Sequence, residues 1–89
     1  DDFHVRHGLD DILLIELFAW DKATFETNMA GSAIYRIGHE QWLRNIAVGL
    51  GNAQTSPEVI QALQSRKNDP SSLVREHVAW ALQQHADSI

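Results

Sequence analysis

Apolar and polar residues alternate along this chain with helical spacing, and nowhere with the two-residue period of a half-buried strand. From Leu9 a helix is predicted whose apolar residues (Ile12, Leu13, Leu14, Ile15, Leu17 and Phe18) run most of the way round it, so it must meet neighbours on more than one side. Asp10 and Asp11 fall in its first turn, where the helix dipole favours negative charge. Asp21 is placed to cap a second helix ending near Met29, with Trp20 and Phe25 at the spacing of a hydrophobic staple. Ser32 is expected to cap a short helix closed by Gly38, a residue suited to a left-handed backbone. The next helix runs from about His39 to Ala53, with Trp42, Ile46 and Ala53 on one face and Leu43, Ala47 and Leu50 on the neighbouring one. Gly49 and Gly51 each lower helix propensity by about 1 kcal/mol relative to alanine; their expected use is to let another helix come close. Ser56-Pro57-Glu58 starts a further helix, a capping serine followed by proline at the first position. Val59, Ile60 and Leu63 face inward before Arg66-Lys67-Asn68 ends it. Asp69-Pro70-Ser71 is expected to start the last helix in the same manner, with Leu73, Val74, Val78, Ala81 and Leu82 as its buried stripe.

Part of this pattern repeats. Ile46-Ala47-Val48-Gly49-Leu50 returns 32 residues later as Val78-Ala79-Trp80-Ala81-Leu82. Self-similarity at a period of a few tens of residues marks stacked helical hairpins. The expected fold class is all-α: antiparallel helical hairpins stacked as HEAT-like repeats, about five to six helices, in a single domain over residues 1–89. Trp42 and Trp80 are expected to be core anchors.

Composition narrows the chemistry. The 89 residues contain no cysteine, which removes disulfides, thiolate metal sites and cysteine nucleophiles from this stretch. The net charge of −5 argues against a free-standing nucleic-acid binder, for which a basic domain is expected. The acids, however, concentrate before Thr27, and between Met29 and Ser56 the only charges are Arg36, Glu40 and Arg44, so that stretch is locally positive. No apolar run is long enough to span a bilayer and no cationic leader opens the chain, so the expectation is a cytoplasmic location and no membrane partner. A start at Asp1 without methionine points to a piece of a longer protein. His4 and His7 have a loose metal spacing but lack a third ligand, and no metal site is expected.

Two levels of resemblance follow. Asp69-Pro70-Ser71-Ser72-Leu73-Val74-Arg75, with Ala79 and Ala81-Leu82, resembles a HEAT-type repeat, and residues 32–53 form a more diverged copy. More specifically, Phe3-His4-Val5-Arg6-His7-Gly8-Leu9-Asp10, Gly31-Ser32-Ala33-Ile34 and Arg36-Ile37-Gly38-His39-Glu40 are similar to the C-terminal region of epoxyqueuosine reductase. So are Trp42-Leu43-Arg44-Asn45-Ile46-Ala47-Val48, Leu50-Gly51-Asn52-Ala53, Leu73-Val74-Arg75-Glu76-His77-Val78 and Trp80-Ala81-Leu82. That resemblance covers nearly the whole chain. It implies an oxidoreductase that completes queuosine synthesis at the tRNA wobble position, with cobalamin and two [4Fe–4S] clusters held in a preceding reductase domain. No cofactor and no catalytic residue is implied for this fragment. What it implies here is a module that helps hold tRNA at its anticodon stem-loop, as a monomer beside the N-terminal catalytic domain of the same chain.

On that resemblance, with the local charge in support, Arg36, Arg44, His39 and Asn45 are the expected RNA contacts, because guanidinium groups pair with phosphate through two parallel hydrogen bonds. Tyr35, at a position where the family often has a second arginine, could stack on an unpaired base. The alternatives are that Arg44 satisfies a carboxylate or a helix end inside the stack, and that Tyr35 is half-buried packing. Arg6 and His7 could touch tRNA or the catalytic domain, or be solvated. Asp69 and Arg75 read as a structural pair, and His77 as an interface residue between hairpins. A HEAT-like protein–protein interaction scaffold is the competing function, and a purely internal packing domain a third.

Overall fold

The computed structural model describes residues 9–86. The Phe3–Gly8 part of the motif, with His4, Arg6 and His7, lies outside the described residues. Five α-helices and one 3-10 segment follow in order: α1 (Leu9–Phe18), α2 (Lys22–Met29), the 3-10 segment (Ala33–Ile37), α3 (Gly38–Gly51), α4 (Pro57–Gln64) and α5 (Ser72–Ala86). Among the described residues there is no strand, so the fold is all-α as expected.

The helix starts follow from capping chemistry. Asp21 accepts the backbone N–H of Thr24 at 2.8 Å and caps α2. Its carboxyl is held below its ordinary value by the backbone and side-chain hydrogen bonds of Thr24, with the charges of His39 and Arg66 acting in the same direction. A lowered value means that the cap stabilises the fold above the usual carboxylate range and loses that effect as pH falls through it. Ser56 accepts from Val59 N–H and Pro57 takes the first position of α4.

Two other starts differ from the expectation. Ser32 makes no side-chain cap; its hydroxyl donates back to Met29 C=O at 2.8 Å, so the 3-10 segment begins without one. For α5 the cap is Ser71, whose Oγ accepts from Val74 N–H, while Asp69 sits two residues earlier and accepts from Ser71 N–H. Pro70 therefore precedes the cap instead of opening the helix. Gly38 does take a positive φ of 85°, but with an extended ψ of 161° that only glycine adopts comfortably. It turns the chain sharply from the 3-10 segment into α3. That helix ends at Gly51, two residues before Ala53.

The core is one cluster built on α3. Leu43, Ala47 and Leu50 meet Val74, Val78 and Ala81 of α5, Val59 and Leu63 of α4, and Phe18 and Phe25 from the first two helices, all of them buried. Helix α3 touches each of the other five elements, and its longest contact is with α5. Trp20 and Phe25, placed by their spacing as a staple, both meet Trp42: Trp20 stacks on it at 5.9 Å, and Phe25 tilts against the same ring at 5.2 Å.

Gly51 explains how closely α3 and α5 approach. A Cβ there would lie 2.5 Å from Trp80 Cζ3 and 3.0 Å from the Cα and Cβ of Ala81. The indole could swing away, but the Ala81 backbone could not. Replacing Gly51 by alanine is therefore expected to lower stability by about 1–2 kcal/mol, the overpacking penalty exceeding the gain in helix propensity. Thermal unfolding followed by circular dichroism tests this; an unchanged or raised midpoint would show that the two helices can part freely.

Candidate nucleic-acid interface

Of the five residues expected to meet RNA, four lie in two pairs. Arg44 and Asn45 sit on the outward side of α3. Arg44 Nη1 donates to Asn45 Oδ1 at 3.1 Å, and Gln41 Nε2 donates to the same oxygen at 3.1 Å. Arg44 Nε donates to His77 Nε2 at 3.1 Å, while His77 Nδ1 donates to Leu73 C=O at 2.9 Å. A nitrogen that accepts from a guanidinium carries no proton, so this geometry is that of neutral His77 with its proton on Nδ1. Arg44 is thus positioned by two uncharged groups and keeps its full charge. Neither alternative reading of Arg44 holds: its partners are neither a carboxylate nor a helix end. His77 lies between α3 and α5, as expected.

Tyr35 and Arg36 form the second pair, on the exposed 3-10 segment, where they line a depression of about 410 Å³ with Gly31, Ser32 and Ala33. One face of Tyr35 stacks on Phe25 with ring centroids 6.5 Å apart, yet the residue is 44% exposed, so packing and availability coexist. Arg36 is exposed, and the one ion pair among the described residues is Arg66–Asp69, elsewhere in the fold. No hydrogen bond or ring contact among the described residues joins this pair to Arg44 and Asn45. His39 belongs to neither: its Nε2 donates to Trp20 C=O at 2.8 Å and its ring tilts against Phe25. It serves the fold.

Two side chains that sequence reasoning passed over hold this arrangement. Arg66 Nε donates to Phe18 C=O at 2.6 Å, Nη2 to Trp20 C=O at 2.9 Å and Nη1 to Asp69 at 3.0 Å, with its guanidinium over the Phe18 ring. His85 is 2% exposed; its Nε2 donates to Leu50 C=O and its Nδ1 accepts from the Thr55 hydroxyl, each at 2.7 Å. Arg75 is structural as expected, but its partners are the main-chain carbonyls of Asp69 and Pro70 instead of the Asp69 carboxylate. Trp80 is not a core anchor: it is 40% exposed, while Trp42 is buried.

The epoxyqueuosine reductase of Xanthomonas campestris pv. campestris is 61% identical over 84 residues, which is 94% of this chain and 24% of the relative. That of Pseudomonas aeruginosa is 51% identical over 98% of the chain, and that of Burkholderia pseudomallei 54% identical over 91%. The chain belongs to the epoxyqueuosine reductase family. It spans about a quarter of the length of these curated relatives. No family model and no solved structure matches it.

Within this segment the side chains do not fit an iron–sulfur cluster. Thiolate ligands for an iron–sulfur cluster are lacking because the 89 residues contain no cysteine. Among the described residues no three His, Asp or Glu side chains converge as a metal site. No helix among them is long and apolar enough to cross a membrane.

Proposed function

We propose that this domain is the C-terminal tRNA-binding module of an epoxyqueuosine reductase, gripping the anticodon stem-loop while chemistry on the modified base proceeds in another domain of the same protein. The observation that carries this reading is the state of two arginines, Arg36, which is exposed, and Arg44, which is half-buried. In a chain of net charge −5, Arg44 is oriented by the neutral His77 and Asn45, and among the described residues Arg36 has no ion-pair partner. A guanidinium fixed in place without a neutralising carboxylate suits a phosphate oxygen. The conversion of epoxyqueuosine to queuosine in tRNA, with its cobalamin and clusters, is assigned to the remainder of the protein, and this module is not itself catalytic. Arg36, Arg44 and Asn45 are the proposed backbone contacts, Tyr35 a base contact, and His39 a support for them.

A fluorescence-anisotropy titration with the anticodon stem-loop of a queuosine-type tRNA tests this. Arg36→Ala and Arg44→Ala are each expected to weaken binding by roughly tenfold and to reduce the slope of log affinity against log salt by about one. Variants that bind like the wild type would remove those residues from the interface. The alternative reading is a protein-interaction scaffold, favoured by the exposure of Ile12 (55%) and Leu13 (51%) on α1. It predicts no RNA binding at any salt concentration.

A further inference from the structure

We infer that the depression between α3 and α5 around Trp80 is a stacking subsite for one unpaired nucleobase of the bound RNA, an inference that rests on the nucleic-acid reading above. Trp80 is a large aromatic ring left 40% exposed in a domain that buries Trp42. Its ring edge lies directly over Gly51, where even a methyl group would collide with it, so the indole is seated on bare backbone of α3. The depression beside it, of about 380 Å³, is lined by Arg44, Val48, Glu76, His77 and Trp80.

The composition of that lining selects the occupant. Val48 is the only aliphatic residue in that lining, and the rest of its apolar surface comes from Trp80 and the stems of polar side chains. Three kinds of group converge there: a partly exposed aromatic ring, a guanidinium and a carboxylate. Arg44 spends Nε and Nη1 on His77 and Asn45, so Nη2 is left to donate to an incoming oxygen. Glu76 is exposed and its carboxylate makes no hydrogen bond or ion pair among the described residues, so it is available to accept from an exocyclic amine of a base. The same carboxylate opposes binding by phosphate charge alone. A nucleotide whose base stacks on Trp80 and whose phosphate meets Arg44 uses all three. One base–aromatic stack is worth about 1–3 kcal/mol, or roughly 5- to 150-fold in affinity.

The test is a titration of the 89-residue chain with the anticodon stem-loop, and with the same stem-loop made abasic in its loop, using Trp80→Ala and Trp80→Phe. Trp80→Ala is expected to lose between about 5- and 150-fold with an unchanged salt slope, and Trp80→Phe only a few-fold. The abasic stem-loop should bind the wild type and Trp80→Ala alike. In Trp80→Phe, which keeps the core intact, RNA should still bind but quench less indole emission than in the wild type. Wild-type affinity in Trp80→Ala would overturn the subsite and leave the phosphate interface standing. A lowered salt slope in Trp80→Ala would overturn stacking, because the effect would then run through Arg44. A wild-type chain that binds no stem-loop at all would overturn the nucleic-acid reading, and the subsite with it.

Discussion

Arg66→Ala should lower the stability of the domain by about 3 kcal/mol, with a fall in the melting midpoint of about 12–24 °C for a domain of this size. The guanidinium makes three charge-assisted hydrogen bonds, to the carbonyls that end α1 and to Asp69. Its side chain is only 17% exposed and that of Asp69 only 10%, so water recovers little when it is lost. Alanine would take the side-chain donor from the Phe18 carbonyl and leave the Trp20 carbonyl to His39 and the Asp69 carboxylate to Ser71 alone. Each hydrogen bond to a charged group contributes about 1.5–3 kcal/mol, and partial exposure together with relaxation reduces the sum. Arg66→Lys should restore less than half, since an ammonium cannot place three donors across that span. Urea unfolding of both variants decides it, and a loss under about 1 kcal/mol in Arg66→Ala would show that the carbonyls find other partners.

His85→Ala is the second large effect, also expected at about 3 kcal/mol. The buried ring fills space between α5, the end of α3 and the 52–56 connection, and it joins them through Leu50 C=O and Thr55. Truncation combines a core cavity with the loss of two hydrogen bonds. His85→Phe keeps most of the volume and loses only the polar part, so its deficit should be about half as large. Equal deficits in the two variants would assign the whole effect to the hydrogen bonds. Neither variant should change the salt slope of RNA binding, because the hydrogen bonds of His85 run to Leu50 and Thr55 and not to Arg36 or Arg44.

Helix periodicity and capping residues made the elements of this fold legible. Asp21, Ser56 and Pro57 act where their spacing places them, and Leu43, Ala47, Leu50, Val59, Leu63, Val74 and Val78 are all in the core. What failed was information carried by long-range contact. Trp80 occupies the position equivalent to Val48 in the internal repeat and shares a helix with Val78 and Ala81, so sequence alone gives it a core reading. Only the close approach of α3 at Gly51 shows that the ring lies outside the core. Arg66 read as the polar end of a helix because its carbonyl partners lie 46 and 48 residues earlier. His85 escaped for the same reason, its partners being 30 and 35 residues away. The family was legible in local motifs, and the charge on Arg36 and Arg44 in the spacing of acids and bases. The neutral character of the partners of Arg44 was not, since it depends on His77 arriving from another helix.

The central position of α3 has a thermodynamic consequence. Because that helix touches every other described element and also presents Arg44 and Asn45 outward, no part of the domain can unfold far without disturbing the surface that would hold RNA. Binding and folding are then linked by mass action: RNA held on α3 by the folded domain alone would raise the stability of all the helices together as its concentration exceeds the dissociation constant. A domain of this size, with little stability to spare, would become firmest with the proposed RNA in place.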